Sequence, residues 1–161
     1  MTPTLSVETP TDNEIVMTRE FSAPRGLVFK AMTQAEHIRE WWGWSDWTMP
    51  VCEMDCRPGG SYRFLGRGPN GEEVPFKGDV LEVEEPSRIV YTEIFDVAPY
   101  NQGEPSVVTT VFEDLGGSRT RIVVTCRYEN KMVRDAVLET GMERGAAHSY
   151  DRLADLLERI S

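Results

Sequence analysis

The stretch Arg119–Ile160, RTRIVVTCRYENKMVRDAVLETGMERGAAHSYDRLADLLERI, changes its hydrophobic period in mid-course. Over residues 119–129 the side chains alternate. Thr120, Ile122, Val124, Cys126 and Tyr128 point one way, and Arg119, Arg121, Thr125 and Arg127 the other. This is a strand with one covered and one wet face. Asn130 then offers an N-cap, and a long helix is expected from Lys131 to about Ile160. At 100° per residue, Leu138, Met142, Gly145, Ala146, Ser149, Leu153, Leu156 and Ile160 fall in one stripe, opposite Glu143, Arg144, Asp151, Asp155 and Glu158. The apolar stripe is what covers the sheet. Its C-terminal half carries Leu and Ile, but its middle is small. Either the sheet approaches closely there or a cavity remains.

Upstream, turn chemistry separates apolar runs at Pro58–Gly59–Gly60, Asn70–Gly71, Glu85–Pro86–Ser87 and Gly116–Gly117. The strands fall at roughly 50–57, 60–67, 73–84, 88–96, 106–114 and 119–129. Short links between them require antiparallel pairing; only the loop at 97–105 is longer. Before them, Ile15, Met17, Arg19 and Phe21 alternate with Val16, Thr18 and Glu20 in a first strand. Ser22 with Ala23–Pro24 reads as a helix start. Thr33–Gln34–Ala35–Glu36 reads as a capping box, opening a second helix that runs to about Trp42, where Gly43 stops it. Residues 1–12 have no periodicity and read as a flexible tail, leaving 13–161 as a single domain. The expected fold is α+β: a curved antiparallel sheet of about seven strands, two short helices after strand 1, and a long C-terminal helix packed across the sheet.

At 161 residues the chain suits one domain and a core that needs no disulfide or metal. Acidic residues outnumber basic ones 27 to 17, for a net charge of −10. That sign repels phosphate backbones and anionic lipid, so nucleic-acid and membrane partners are not expected. No apolar run approaches the ~20 residues of a membrane span. The first residues lack the pattern of a secretory signal, so a cytoplasmic location is expected. Cys52, Cys56 and Cys126 read as reduced, inert thiols. No metal or cofactor is expected, and His37 and His148 lack a sequence-visible orienting acid, so no catalytic residue is assigned.

Six further stretches carry a resemblance: Glu36–Trp42 (EHIREWW), Asp55–Phe64 (DCRPGGSYRF), Arg67–Gly71 (RGPNG), Phe76–Pro86 (FKGDVLEVEEP), Arg88–Glu93 (RIVYTE) and Gly141–Leu157 (GMERGAAHSYDRLADLL). Together they resemble the family named for the activator of heat shock protein 90 ATPase homologue, in the START-like (SRPBCC) superfamily. The resemblance runs from about residue 14 to the end and rests on structural motifs rather than catalytic ones. It implies a helix-grip fold with a hydrophobic cavity between sheet and C-terminal helix. The family's eukaryotic co-chaperones carry a separate N-terminal chaperone-binding domain. Here only about a dozen residues precede the first strand, so a chaperone partner is the weaker expectation.

The cavity candidates follow from strand phase and the helix stripe. Tyr62 and Phe64 share one face, Tyr91, Glu93 and Phe95 another, with Met54 and Phe76 on neighbouring strands and Met142, Gly145 and Ser149 on the helix. Trp41 and Trp42 close a helix, and whichever of them is buried reads as a core anchor. Trp44 and Trp47, after Gly43, read either as a lid over the cavity or as further packing. Glu93 shares the inward phase, yet an edge position with a solvated carboxylate is its default, because a buried carboxylate must be paired or protonated. The function expected is binding of a hydrophobic or amphipathic small molecule, as a monomer or a homodimer. A polyketide-cyclase-like enzyme using the same cavity, or a chaperone-interacting protein, is the alternative.

Overall fold

The first strand finds its partner at the far end of the chain. In the computed structural model, which describes residues 4–161, β2 (Glu14–Phe21) lies antiparallel to β8 (Arg119–Arg127), with Ile15 opposite Cys126 and Met17 opposite Val124. Between them run α1 (Arg25–Thr33), α2 (Ala35–Trp41), β3 (Thr48–Met54), β4 (Ser61–Arg67), β5 (Glu73–Glu84), β6 (Arg88–Phe95) and β7 (Ser106–Gly116). β1 (Ser6–Glu8) pairs with β2, and the eight strands form one curved antiparallel sheet in the order β1-β2-β8-β7-β6-β5-β4-β3. The expected tail therefore contains an edge strand, and the sheet has eight strands rather than seven. Residues 1–3 of that tail lie outside the described residues.

The alternation read in 119–129 holds: Thr120, Ile122, Val124, Cys126 and Tyr128 are all buried. They meet Ile15, Phe21, Val108 and Phe112 from the sheet and Leu153, Leu156 and Leu157 from the C-terminal segment in one core. Among the described residues no helix is long and apolar enough to cross a membrane.

The helix boundaries need three corrections. Ser22 caps nothing; α1 starts after Pro24, whose carbonyl accepts from the Leu27 and Val28 amides. The capping box does not form, because the buried Thr33 hydroxyl donates back to the Phe29 carbonyl at 2.7 Å and Gln34 occupies the cap position. The long helix is two: α3 (Lys131–Glu139) and α4 (Met142–Ile160). Gly141, at φ +81°, takes the left-handed conformation that ends a helix, and its amide bonds back to the Leu138 carbonyl. Asn130 does cap α3, accepting from the Val133 amide at 2.9 Å. The stripe on α4 is also broader than read, since Tyr150 and Leu157 are buried beside it.

Candidate functional site

β4, β5 and β6 bring their inward side chains into register. Phe64 lies opposite Phe76 and Phe76 opposite Phe95, while Tyr62 lies opposite Gly78. The result is a run of touching rings. Tyr91 meets Tyr62 at 5.4 Å between centroids, Tyr62 meets Phe64 at 5.0 Å, and Phe76 meets Phe95 at 5.3 Å. Trp42, projecting from the end of α2, bridges the two halves, 5.7 Å from both Phe64 and Phe76. Tyr100, in a single 3-10 turn, extends the run from Phe95 to the surface at 5.3 Å. Gly78 is required under this wall. A Cβ there would fall 1.9 Å from the Thr92 carbonyl oxygen and 2.7 Å from Tyr62 Cε1. With no side chain in the way, the Tyr62 hydroxyl donates to that carbonyl at 2.7 Å.

Glu93 stands on the same face, and its setting differs from the expected edge. β6 is an inner strand flanked by β5 and β7, with Glu93 opposite Ser106. Burial alone pushes the Glu93 carboxyl up to about 7, with no cation among the described residues near enough to hold it down. Its charge is felt by Tyr62, Tyr91, Tyr128, Tyr150 and Cys126, whose acidities are all weakened, first by their own burial. The Cys126 thiol rises to about 12. A single carboxyl thus sits among four phenols and a thiol drawn from β4, β6, β8 with the residue that follows it, and α4.

These groups also reveal a hollow. Among the described residues every fully buried side-chain nitrogen or oxygen has a hydrogen-bond partner. The Glu93 carboxyl and the Tyr91 and Tyr150 hydroxyls have none, and Tyr91 and Glu93 are only half-buried although protein surrounds them. Polar atoms that lie deep, lack partners and keep accessible surface face a space large enough for water. On the helix side, a Cβ at Gly145 would meet nothing within 4 Å. Met142 and Ala146 flank it, half-buried.

The other expected site residues are placed differently. Ser149 is buried, but its hydroxyl accepts from the Gly43 amide at 2.9 Å and is engaged there. Trp44 is exposed and lies on the His148 ring at 4.7 Å; His148 Nε2 in turn accepts from the Ser45 amide at 3.2 Å. Arg152 adds hydrogen bonds to the Gly43 and Glu40 carbonyls at 2.9 and 2.8 Å. The loop after α2 is therefore latched onto α4. Trp47 is not free in that loop: its ring covers the β4–β5 hairpin, 3.5 Å from where a Gly66 Cβ would be and 2.9 Å from that of Gly68. Met54 lies opposite Tyr62 of the aromatic wall and also lines a cleft of about 400 Å³ with Phe29, Lys30, Cys56 and Val83. The candidates read from the sequence did not include Trp42, which joins the ring wall, or Tyr128 and Tyr150, which the fold brings near Glu93. For Trp42 a signal existed, because adjacent tryptophans at a helix end cannot both enter one core. Trp41 is the core member, buried and donating to the Ala31 carbonyl at 2.9 Å. Among the described residues no group of His, Cys, Asp or Glu side chains comes together to hold a metal ion.

The profile of the family described as "Activator of Hsp90 ATPase homolog 1-like protein" matches residues 22–158. No curated protein matches the chain. Among solved structures, a Rhodobacter sphaeroides protein is 22% identical, with 98% of this chain and 99% of that one covered at a TM-score of 0.87. Protein Ms6760 from Mycobacterium smegmatis is 24% identical, with coverages of 96% and 97% and a TM-score of 0.85. The AHSA1 protein from Silicibacter pomeroyi is 20% identical, with coverages of 92% and 99% and a TM-score of 0.76. At these identities the structures speak for the fold. The profile, the element order and the fold agree: the chain belongs to the Activator of Hsp90 ATPase homolog 1-like family, in the START-like helix-grip superfamily.

Proposed function

We propose that this protein binds an apolar or amphipathic small molecule in the hollow between β4–β6 and α4. The observation that carries the reading is the Glu93 carboxyl with the Tyr91 and Tyr150 hydroxyls, deep in the fold, without protein partners and beside a continuous aromatic wall. An apolar lining with a few convergent polar groups is the usual make-up of a small-molecule site. The latch that Ser149, His148 and Arg152 place on the loop after α2 keeps Trp42 against the wall and closes that side of the hollow. The three free thiols fit work in a reducing compartment, the cytoplasm. Native mass spectrometry of the protein purified from its own host tests the reading. A retained small molecule released by mild activation is the expected result. Bare chain throughout, together with no uptake of an apolar fluorescent probe, would sink it.

A further inference from the structure

The polar end of the hollow has a charge preference of its own. Several hydrogen-bonding groups around it are already engaged: Tyr62 with the Thr92 carbonyl, the Ser106 hydroxyl with the Glu93 backbone carbonyl, and Ser149 with Gly43. The Glu93 carboxyl and the Tyr91, Tyr128 and Tyr150 hydroxyls remain open. Among the described residues no cation faces Glu93 from any element packed on it. β4 contributes Tyr62, β5 Gly78, β6 Tyr91, β7 Ser106, β8 Cys126, the residue after β8 Tyr128, and α4 Tyr150. Arg19, a buried cation on β2, is tied to Asp151 at 2.8 Å.

We propose that the hollow takes a protonated amine on a flat apolar skeleton, with the ammonium on the Glu93 carboxylate and the skeleton along the ring wall. This rests on the binding reading above. An ammonium carries three donors and no acceptor, and the open groups supply acceptors: the carboxylate and three phenol oxygens. Aromatic faces attract cations as well, and Tyr62, Tyr91 and Trp42 stand close by. An anionic ligand would meet an uncompensated carboxyl. A neutral one would leave that carboxyl to be held uncharged. Only a cation lets Glu93 stay ionised inside the fold, which lowers its affinity for a proton. Binding therefore expels a proton wherever the free protein holds one, and the net charge of −10 draws cations inward.

The test uses the full chain and three ligands of one skeleton: 2-(2-naphthyl)ethylamine, 2-(2-naphthyl)ethanol and 2-naphthylacetate, titrated calorimetrically. Near pH 8 the amine should bind about tenfold tighter than the alcohol, with the carboxylate weakest. At about pH 5.5 the preference should shrink at least several-fold, and near pH 6 the heat in buffers of different ionisation enthalpy should report proton release. Glu93→Gln should erase the preference for the amine over the alcohol, both measured on the same variant, and the proton release with it. If the alcohol binds but the amine gains nothing, or the gain survives Glu93→Gln, the amine proposal is overturned and the cavity reading stands. If no member of the set binds, both fall.

Discussion

Glu93 is the residue at which folding and binding pull against each other. Unfolded, its carboxyl titrates near 4.3; in the fold, burial raises it to about 7. Between those values the native state holds more protons than the unfolded chain. Stability from this group is therefore complete below about pH 4, declines as pH rises through the window, and is gone above about pH 7. Allowing for the carboxyl's partial access to solvent, the change is on the order of 2 kcal/mol. Urea unfolding at pH 5, 6, 7 and 8 should show that decline in the wild type and a flatter profile in Glu93→Gln, with the variant the more stable near pH 8. Equal slopes would place the carboxyl in ordinary solvent. The tryptophans order themselves by contact. Trp41 is buried, hydrogen-bonded to Ala31 and stacked on Tyr150 at 6.0 Å, so Trp41→Ala should cost about 3–5 kcal/mol. Trp44, exposed on His148, should shift the melting temperature by a few degrees at most, and Trp47, packed on the hairpin glycines, should fall between. Thermal melts of the three alanine variants check that order. Strand phase already put Tyr91, Glu93 and Phe95 on one face; phase alone could not say that β6 lies inside the sheet, which depends on pairings with β5 and β7. Arg19 is the same kind of case: its alternation with Met17 and Phe21 was visible, its partner Asp151 on α4 was not.

Each element was legible where its signal was local and misread where a neighbour competed for it. Strand limits marked by Asn70–Gly71 or Glu85–Pro86–Ser87 came out within a residue or two, because those turns carry their own backbone preferences. Thr33 looked like a cap, but a hydroxyl in the last turn of a helix can bond back to the carbonyl four residues earlier, and here it does. Gly141 and Gly145 show the same ambiguity within one segment. Both sit where a single long helix was expected, yet Gly141 is at φ +81° and breaks it, whereas Gly145 is inside α4 with ordinary helical geometry. One substitution should therefore act with opposite signs at the two positions. Gly141→Ala forces a side chain into the left-handed region and should cost about 1–2 kcal/mol. Gly145→Ala places a methyl in open space and should gain about 0.5–1 kcal/mol from helix propensity. Chemical denaturation of both variants measures it. A loss at Gly145 as large as that at Gly141 would mean that α4 is packed closely there after all.

At the scale of the whole molecule, the order of elements and the antiparallel links follow from short connections and one change of period, so the helix-grip architecture could be read from the chain. The hollow could not. Its polar end joins Glu93 to Tyr128 and Tyr150, far apart in sequence, and its roof depends on how closely α4 lies on the sheet. The small residues in the middle of the α4 stripe posed that question without answering it. Gly145→Leu decides it with two readouts. A leucine side chain forced into a filled crossing would cost about 1–3 kcal/mol through overpacking. Entering the open space found above Gly145, it should leave stability unchanged or slightly raised. The same side chain would occupy volume that an apolar ligand needs, so uptake of a naphthalene probe should fall about tenfold or more. Stability held with binding lost places the ligand beneath the first turns of α4. A collapse in melting temperature would show a tight crossing and remove the cavity. Stability and binding both preserved would move the ligand along the ring wall toward Phe95 and Tyr100, where the run of rings reaches the surface.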